Sequence, residues 1–390
     1  MEALRIDSLE EALLMATGLF LLIQLAYYLG LYARIARRER AVGKGKVAFS
    51  ADLPPLSVIV CTSDQPADLE ANLEAILQQD YPQFEVIVIN DGRTDDSEDL
   101  LTLLEERYRH LYHSFVPRTS RYVSHKKLAI TLGIKASRYD WIVVTEPACR
   151  PASDQWLRLL ARNLTPGTEV VLGYSGYRPG RGWAHLRMAY DNLLTSMRYL
   201  GFALAGAPYM GIGRSLVYRK ELFHARGGFT AHLELLRGDD DLLVNRIATG
   251  ANTRVETGPA AAMRLPADRR AKDWRDERVG YTLTARLYRG PQRYLAGLET
   301  TTRLLFYAAW VATLAVGLWH MHLVVAAVGL VAFGVRWAVQ GSVTNRAARA
   351  VGDAQRYGFS LPLLDLVQPL LSLRWKVRCL LCRRSGFLRK

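Results

Sequence analysis

Three consecutive acids, Asp239-Asp240-Asp241, stand between Gly238 and Leu242. Like charges so close raise one another's pKa, and a carboxyl tuned upward suits a proton acceptor near neutral pH. The same run equally makes a solvated cap before a helix expected over 241–248. In Ser124-His125-Lys126-Lys127-Leu128-Ala129 two lysines open a helical pattern. A cation and a helix N-terminus then converge on one point, as an anionic leaving group needs. A basic, solvated helix start is the plainer alternative. Thr62 to Asp64, Asp91-Gly92 and Glu146 each follow a β-rich run. One acid after a strand is ordinarily a turn residue, but several suggest a shared site. Two small metal-like patterns are read structurally. Cys379 and Cys382 lie in a basic, leucine-rich tail with no second pair, so they pack. His320 and His322 interrupt an apolar run and read as turn residues at a membrane's outer surface, not as ligands.

Side chains so scattered need a scaffold to bring them together. LSVIVC (56–61), FEVIVIN (84–90), YHSFV (112–116), WIVVT (141–145) and EVVLG (169–173) read as strands. Helix-period segments separate them at 66–79, up to about residue 107, and at 126–136. Such alternation predicts an α/β domain whose mostly parallel sheet carries helices on both faces. Ligands of open sheets lie at the carboxyl ends of the strands, where Thr62, Asp91 and Glu146 fall. Trp183 to Leu204 alternates aromatic, apolar and basic residues. It reads either as an amphipathic helix at a membrane surface, where a lipid-linked acceptor arrives, or as a packing helix.

Half of the 390 residues are hydrophobic, with the excess near the two ends, and the net charge is +14. Residues 12–33 are uncharged and long enough to span a bilayer. The acidic start and the absence of a small-residue cleavage site argue against a signal peptide. RIARRERAVGKGK follows directly, so the positive-inside rule puts residue 34 onward in the cytoplasm. The uncharged run 304–335 reads as a hairpin turning at Trp319-His320-Met321-His322, with Arg303 and Arg336 snorkelling at its ends. That gives three spans and four regions: an N-terminal span with basic linker (1–49), a cytoplasmic domain (50–300), a transmembrane hairpin (301–340) and a basic tail (341–390). Residues 361–373 are too short to span and read as an interfacial helix. The basic balance fits an anionic membrane surface or phosphorylated ligands. No zinc-finger, RNP or basic-zipper pattern supports nucleic acid. Four scattered cysteines fit a reducing compartment.

SVIVCTSDQPADLEANLEAILQQDYPQFEVIVINDGRTDDS resembles the opening of family 2 glycosyltransferases, with Gln79-Asp80-Tyr81-Pro82 and Asp91-Gly92-Arg93-Thr94-Asp95 at that family's Q-x-Y-P and D-G-S-x-D motifs. The resemblance runs from about residue 54 to 290 and implies a GT-A fold. The flanking spans look like those of membrane-bound bacterial members, at an inner membrane. It implies that Thr62, Asp91 and Gly92 bind the nucleotide and that Lys126 and Lys127 approach the diphosphate. Glu146-Pro147-Ala148 falls where the family has D-x-D, which holds Mg²⁺ or Mn²⁺. With Ala148 in the second position, either Glu146 alone holds the ion, or Lys126 and Arg150 carry more of the charge. Aligning Asp241-Leu242 with the family's E-D-x-D-L makes Asp239 the catalytic base; a looser register makes it Asp240.

Glu277-Arg278-Val279-Gly280-Tyr281, following Trp274, is the nearest match to the Q-x-x-R-W of processive synthases. Arg278 is expected near the diphosphate and Tyr281 as an aromatic platform on the acceptor side. Met210-Gly211-Ile212-Gly213-Arg214-Ser215 resembles G-x-G-R-N, which places Gly213 and Arg214 there too. The altered synthase motif and three spans argue against polymer synthesis. The resemblance therefore implies an inverting hexosyltransferase that moves one sugar from a nucleotide-diphosphate donor to a lipid-linked or envelope-glycan acceptor among membrane lipids. The alternative, an inactive relative serving as a scaffold in polysaccharide assembly, draws on the altered motifs. Asp91, Lys126 and the acidic triplet favour the enzyme.

Overall fold

A computed structural model describes residues 7–63, 65–91, 97–116 and 124–381. Asp64, Gly92 and Cys382 lie outside them. Helix α1 (Ser8–Ala26) continues through a π-helical stretch at Tyr27–Tyr32 into α2 (Ala33–Gly43). Its start is set by a capping box: the Asp7 carboxylate accepts from the Ser8 amide at 2.7 Å, and Glu10 accepts from the Asp7 amide at 3.1 Å.

The α/β domain follows. Its elements are β1 (Leu56–Thr62), α3 (Pro66–Leu77), β2 (Phe84–Asn90), α4 (Glu98–Arg107), β3 (Leu111–Phe115), α5 (His125–Ala136) and β4 (Trp141–Thr145). Then come β5 (Arg150–Pro151), α6 (Trp156–Ala161), β6 (Val170–Leu172), β7 (Ser175–Tyr177), α7 (Trp183–Leu204), β8 (Leu216–Arg219) and α8 (Lys220–Ala225). The domain ends with α9 (Asp241–Ile247), β9 (Thr253–Val255), β10 (Met263–Leu265) and α10 (Ala271–Thr284). The main sheet has seven strands in the order β3-β2-β1-β4-β8-β6-β9, and β8 alone runs against its neighbours. β5, β10 and β7 form a second, small sheet.

β1, β2 and β4 are near-continuous apolar runs because both faces of the sheet are covered. Ile59, Ile87 and Ile142 enter one core, whereas Val58, Val86 and Val143 enter the other. The expected mostly parallel α/β sheet is therefore present. α7 packs against α2, β7, β9 and α10, and most of its residues are buried, so the packing alternative is the one realised.

Among the described residues, three helices are long and apolar enough to cross a membrane: Ser8–Gly43, α11 (Gln292–Trp319) and α12 (Leu323–Ala350). α1 runs against α11, with Thr17 Oγ1 2.9 Å from Thr313 Oγ1 and Gln24 Nε2 3.0 Å from Thr302 Oγ1. The turn between α11 and α12 falls at His320 to His322, as the sequence indicates. Arg303 and Arg336 do not snorkel. They are 0% and 1% exposed and converge on Asp365, Arg303 Nη1 at 3.1 Å and Arg336 Nη2 at 2.6 Å. Arg303 also pairs with Glu299, which Arg198 of α7 reaches as well. Acidic partners inside the bundle make burial cheaper than stretching to an interface. Asp365 comes from α13 (Leu361–Leu381), which is longer than the interfacial segment expected and is pinned to the bundle by this pair of arginines.

Candidate active site

The end of β4, the starts of α5 and α9 and the middle of α10 meet in one cleft, lined by Lys126, Glu146, Arg214, Asp239, Asp240 and Tyr281 among others. Lys126 sits in the first turn of α5, whose start is capped by Ser124 Oγ accepting from the Lys127 amide at 3.3 Å. Its Nζ lies 2.9 Å from Glu146 Oε1 and 2.9 Å from Asp239 Oδ2. The other Glu146 oxygen accepts from Arg214 Nε at 2.9 Å. Arg214 in turn pairs with Glu277, which Arg269 reaches at 2.8 Å. Cations and carboxylates thus alternate from Asp239 to Arg269.

This chain of charges sets the ionisation of its members. Burial pushes the Glu146 carboxyl up, but Lys126, Arg214 and Arg269 together hold it well below the usual range. Glu277 is likewise opposed by burial and brought down to about 2 by Arg214 and Arg269. Burial pulls Lys126 down, yet Asp239 and Glu146 more than offset it and keep the amine protonated.

Asp240 behaves oppositely. Burial, then the charges of Asp239 and Asp241, push its carboxyl up to about 7. Three donors fix its position: the Gly213 amide at 2.9 Å and the Tyr281 hydroxyl at 2.8 Å on one oxygen, and the Asp241 amide at 2.7 Å on the other. Gly213 eases that approach, because a Cβ there would lie 3.2 Å from Asp240 Cβ, a tighter contact than is usual. Gly238, at φ +95°, turns the chain into the triplet through a conformation that other residues rarely adopt. Asp241 faces inward, accepting from the Tyr288 hydroxyl at 2.6 Å and from Thr284. The triplet is thus divided: Asp239 and Asp240 line the cleft, and Asp241 anchors α9 to the segment that follows α10.

A family model for glycosyl transferase family 21 matches residues 18–374, nearly the whole chain. The chain belongs to glycosyl transferase family 21. It is a transferase of sugars, as the resemblance to family 2 implied at the coarser level. Among solved structures, this family 21 chain is similar to the mannosyltransferase PcManGT from Pyrobaculum calidifontis in complex with GDP-Man and Mn²⁺. Identity is 19% over 87% of this chain and all of the other, with a TM-score of 0.53, which shows the shared GT-A-like fold. S. aureus TarS matches at 16% identity and a TM-score of 0.39 over 64% of this chain and 42% of its own.

Not every expected residue of the family 21 enzyme reaches the cleft. Thr62 and Asp91 lie at the adjoining ends of β1 and β2, both buried, with the Asp91 amide donating to Thr62 O at 3.1 Å and Ser63 Oγ donating to Asp91. Thr62 Oγ1 is buried with no hydrogen-bond partner among the described residues. Lys127 turns away, its Nζ donating to the carbonyls of His232 at 2.6 Å and Leu235 at 2.9 Å, so it ties α5 to that loop. Arg278 is drawn off by Asp191 of α7 and donates to Thr195 Oγ1 at 2.9 Å. Arg150 donates to Ala71 O at 3.0 Å, on the outside of the domain. Successive helical residues point in different directions, which is why Lys126 and Glu277 face the cleft while Lys127 and Arg278 do not. Arg269 and Arg237 line the cleft but have no motif of their own. The only signal for them is proximity to recognised motifs, Arg237 beside Gly238 and Arg269 eight residues before Glu277.

Proposed function

We propose that this family 21 chain is an inverting transferase that takes one hexosyl group from a nucleotide-diphosphate donor, with Asp240 as the catalytic base. The observation that carries this is a carboxyl raised to about 7 beside a fixed cation, Lys126, in one cleft. An acceptor hydroxyl oxygen bonds to the anomeric carbon as its proton passes to Asp240. The bond from that carbon to the diphosphate oxygen breaks on the opposite face, through an oxocarbenium-like state. Lys126, Arg214 and Arg269 face the charge that develops on the departing diphosphate. Asp239 holds Lys126 and raises the Asp240 pKa. Thr62 and Asp91, on the neighbouring strand ends, support nucleotide binding.

The family 2 resemblance implies a divalent cation, and PcManGT was solved with Mn²⁺. The residues here fit one poorly. Both Glu146 oxygens already face cations at 2.9 Å, and Ala148 offers no ligand. Cationic side chains are the better match to the diphosphate. Attachment to three apolar helices supports a lipid-linked or envelope-glycan acceptor. The basic run after α1 supports a catalytic domain on the cytoplasmic face of a bacterial-type inner membrane.

Calorimetric titration of the detergent-purified protein with UDP, GDP and their sugars, with and without Mg²⁺ or Mn²⁺, tests this account. Expected is binding of one nucleotide class that changes little with metal, is lost in Asp91→Ala and survives in Asp240→Asn. Absence of nucleotide binding under every condition would return the chain to a scaffolding role.

A further inference from the structure

At the end of the helical bundle away from the sheet lies a cluster that sugar transfer does not use. Glu10, in the first turn of α1, is 0% exposed. No lysine or arginine pairs with it among the described residues. Its neighbours are two imidazoles from the α11–α12 turn. His322 Nδ1 lies 2.8 and 2.7 Å from the two Glu10 oxygens, and His320 Nδ1 lies 3.3 Å from Oε1. The three groups come from positions about 310 residues apart in sequence, and their donor atoms all lie within 4.8 Å of one another. Both histidines reach the same carboxylate because Met321 between them takes φ 57°. It is the one non-glycine residue with positive φ among those described.

We infer that Glu10, His320 and His322 form a divalent transition-metal site, best suited to Zn²⁺, that fastens the first membrane helix to the hairpin. A carboxylate closed off from solvent is normally paired or bound to metal. Two imidazole nitrogens and one carboxylate oxygen are a donor set for Zn²⁺, with water completing the tetrahedron. Imidazole selects zinc-like ions over Mg²⁺ or Ca²⁺. Tetrahedral Zn²⁺ needs donor atoms about 3.3 Å apart, so opening the His322–Glu10 contact by about 0.5 Å admits the ion. The His320–Glu10 separation already has that value, 3.3 Å. The Asp7 amide, donating to Glu10 Oε2 at 3.1 Å, orients the carboxylate from behind, as ligating carboxylates require. The two imidazoles are partly open to the surroundings, with side chains 35% and 23% exposed at His320 and His322.

The test is Zn²⁺ titration of the full-length, chelator-treated protein in detergent, with excess Mg²⁺ present to occupy non-specific carboxylate sites on the surface. Co²⁺ serves as a spectroscopic probe of tetrahedral nitrogen and oxygen ligation. Wild type is expected to bind one equivalent, to show visible Co²⁺ bands and to gain thermal stability with Zn²⁺. His322→Gln and His320→Gln keep a hydrogen-bonding side chain at the turn but lose the imidazole. They are expected to fold and to bind Zn²⁺ about 100-fold more weakly or worse, since loss of a second-layer partner alone costs about 10–100-fold. Failure of wild type to bind Zn²⁺, or unchanged affinity in both glutamine variants, would overturn the assignment and leave only histidine–carboxylate hydrogen bonds.

Discussion

Replacing Asp239 by Asn separates the roles of two adjacent acids. Asp240 sits at about 7, against an ordinary value of 3.8, with burial as the largest cause and Asp239 as the next. That elevation of about three units corresponds to about 4 kcal/mol favouring the neutral form. At an effective dielectric of about 20, like charges a few ångströms apart repel by a few kcal/mol. Removing one of the two neighbouring charges should therefore lower the Asp240 pKa by about 1–2 units. In wild type, kcat/KM is expected to rise with pH through about 7, as Asp240 ionises. In Asp239→Asn the same limb should move to about pH 5–6, while the plateau falls because Lys126 loses one of its two carboxylates. The assay is transfer of labelled sugar across a pH series. Stability gives a second readout. A raised carboxyl contributes stability that is complete below 3.8 and lost as pH rises through about 7, so the variant should lose it at lower pH. Transfer abolished at every pH in Asp239→Asn would make Asp239 the base. An unmoved limb would show that Asp240 does not titrate in the reaction.

Further expectations concern the supports of the cleft. Gly213→Ala places a Cβ 3.2 Å from Asp240 Cβ. The base must then give by a few tenths of an ångström, which should lower kcat by less than the roughly 100-fold that a misplacement of about 1 Å costs, with little change in thermal stability. Glu277→Gln removes a carboxyl held at about 2 by Arg214 and Arg269. Its stabilisation is complete above 4.5 and lost as pH falls through about 2, so the variant should be less stable by about 3 kcal/mol at neutral pH and flatter below pH 4.5 in denaturation experiments. Asp365→Leu leaves Arg336 without a carboxylate inside the bundle and Arg303 with Glu299 alone, and should cost about 3–5 kcal/mol, read as a lowered unfolding temperature in detergent.

Much of the architecture was legible because it is written in periodicity. The runs 56–61, 84–90 and 141–145 are buried on both faces, so they appear as unbroken apolar strands, and the α11–α12 turn shows as a polar break in a long apolar run. The site was legible where spacing mirrors geometry, as at Glu146 after β4 and in the acidic triplet before α9. Direction within a helix was not. Lys126 and Lys127 look equivalent in sequence, yet Lys126 enters the cleft and Lys127 is claimed by carbonyls, and the expected Arg278 is claimed by Asp191 while its neighbour Glu277 enters. Long-range ion pairs were also hidden. Nothing near Arg303 or Arg336 in sequence announces that Asp365 will meet both inside the bundle. The joining of Glu10 to His320 and His322 depends on the antiparallel packing of α1 and α11, which hydropathy does not register.

The most direct test of the central claim is sugar transfer by the liposome-reconstituted protein, supplied with labelled UDP- and GDP-sugars and total membrane lipid extract. Wild type should transfer label from one donor class to a lipid-extractable product of inverted anomeric configuration. Asp240→Asn should bind the donor as tightly but transfer at least about 100-fold more slowly, the lower end of what losing a positioned base costs. Transfer undiminished in Asp240→Asn, or a product of retained configuration, would contradict the account.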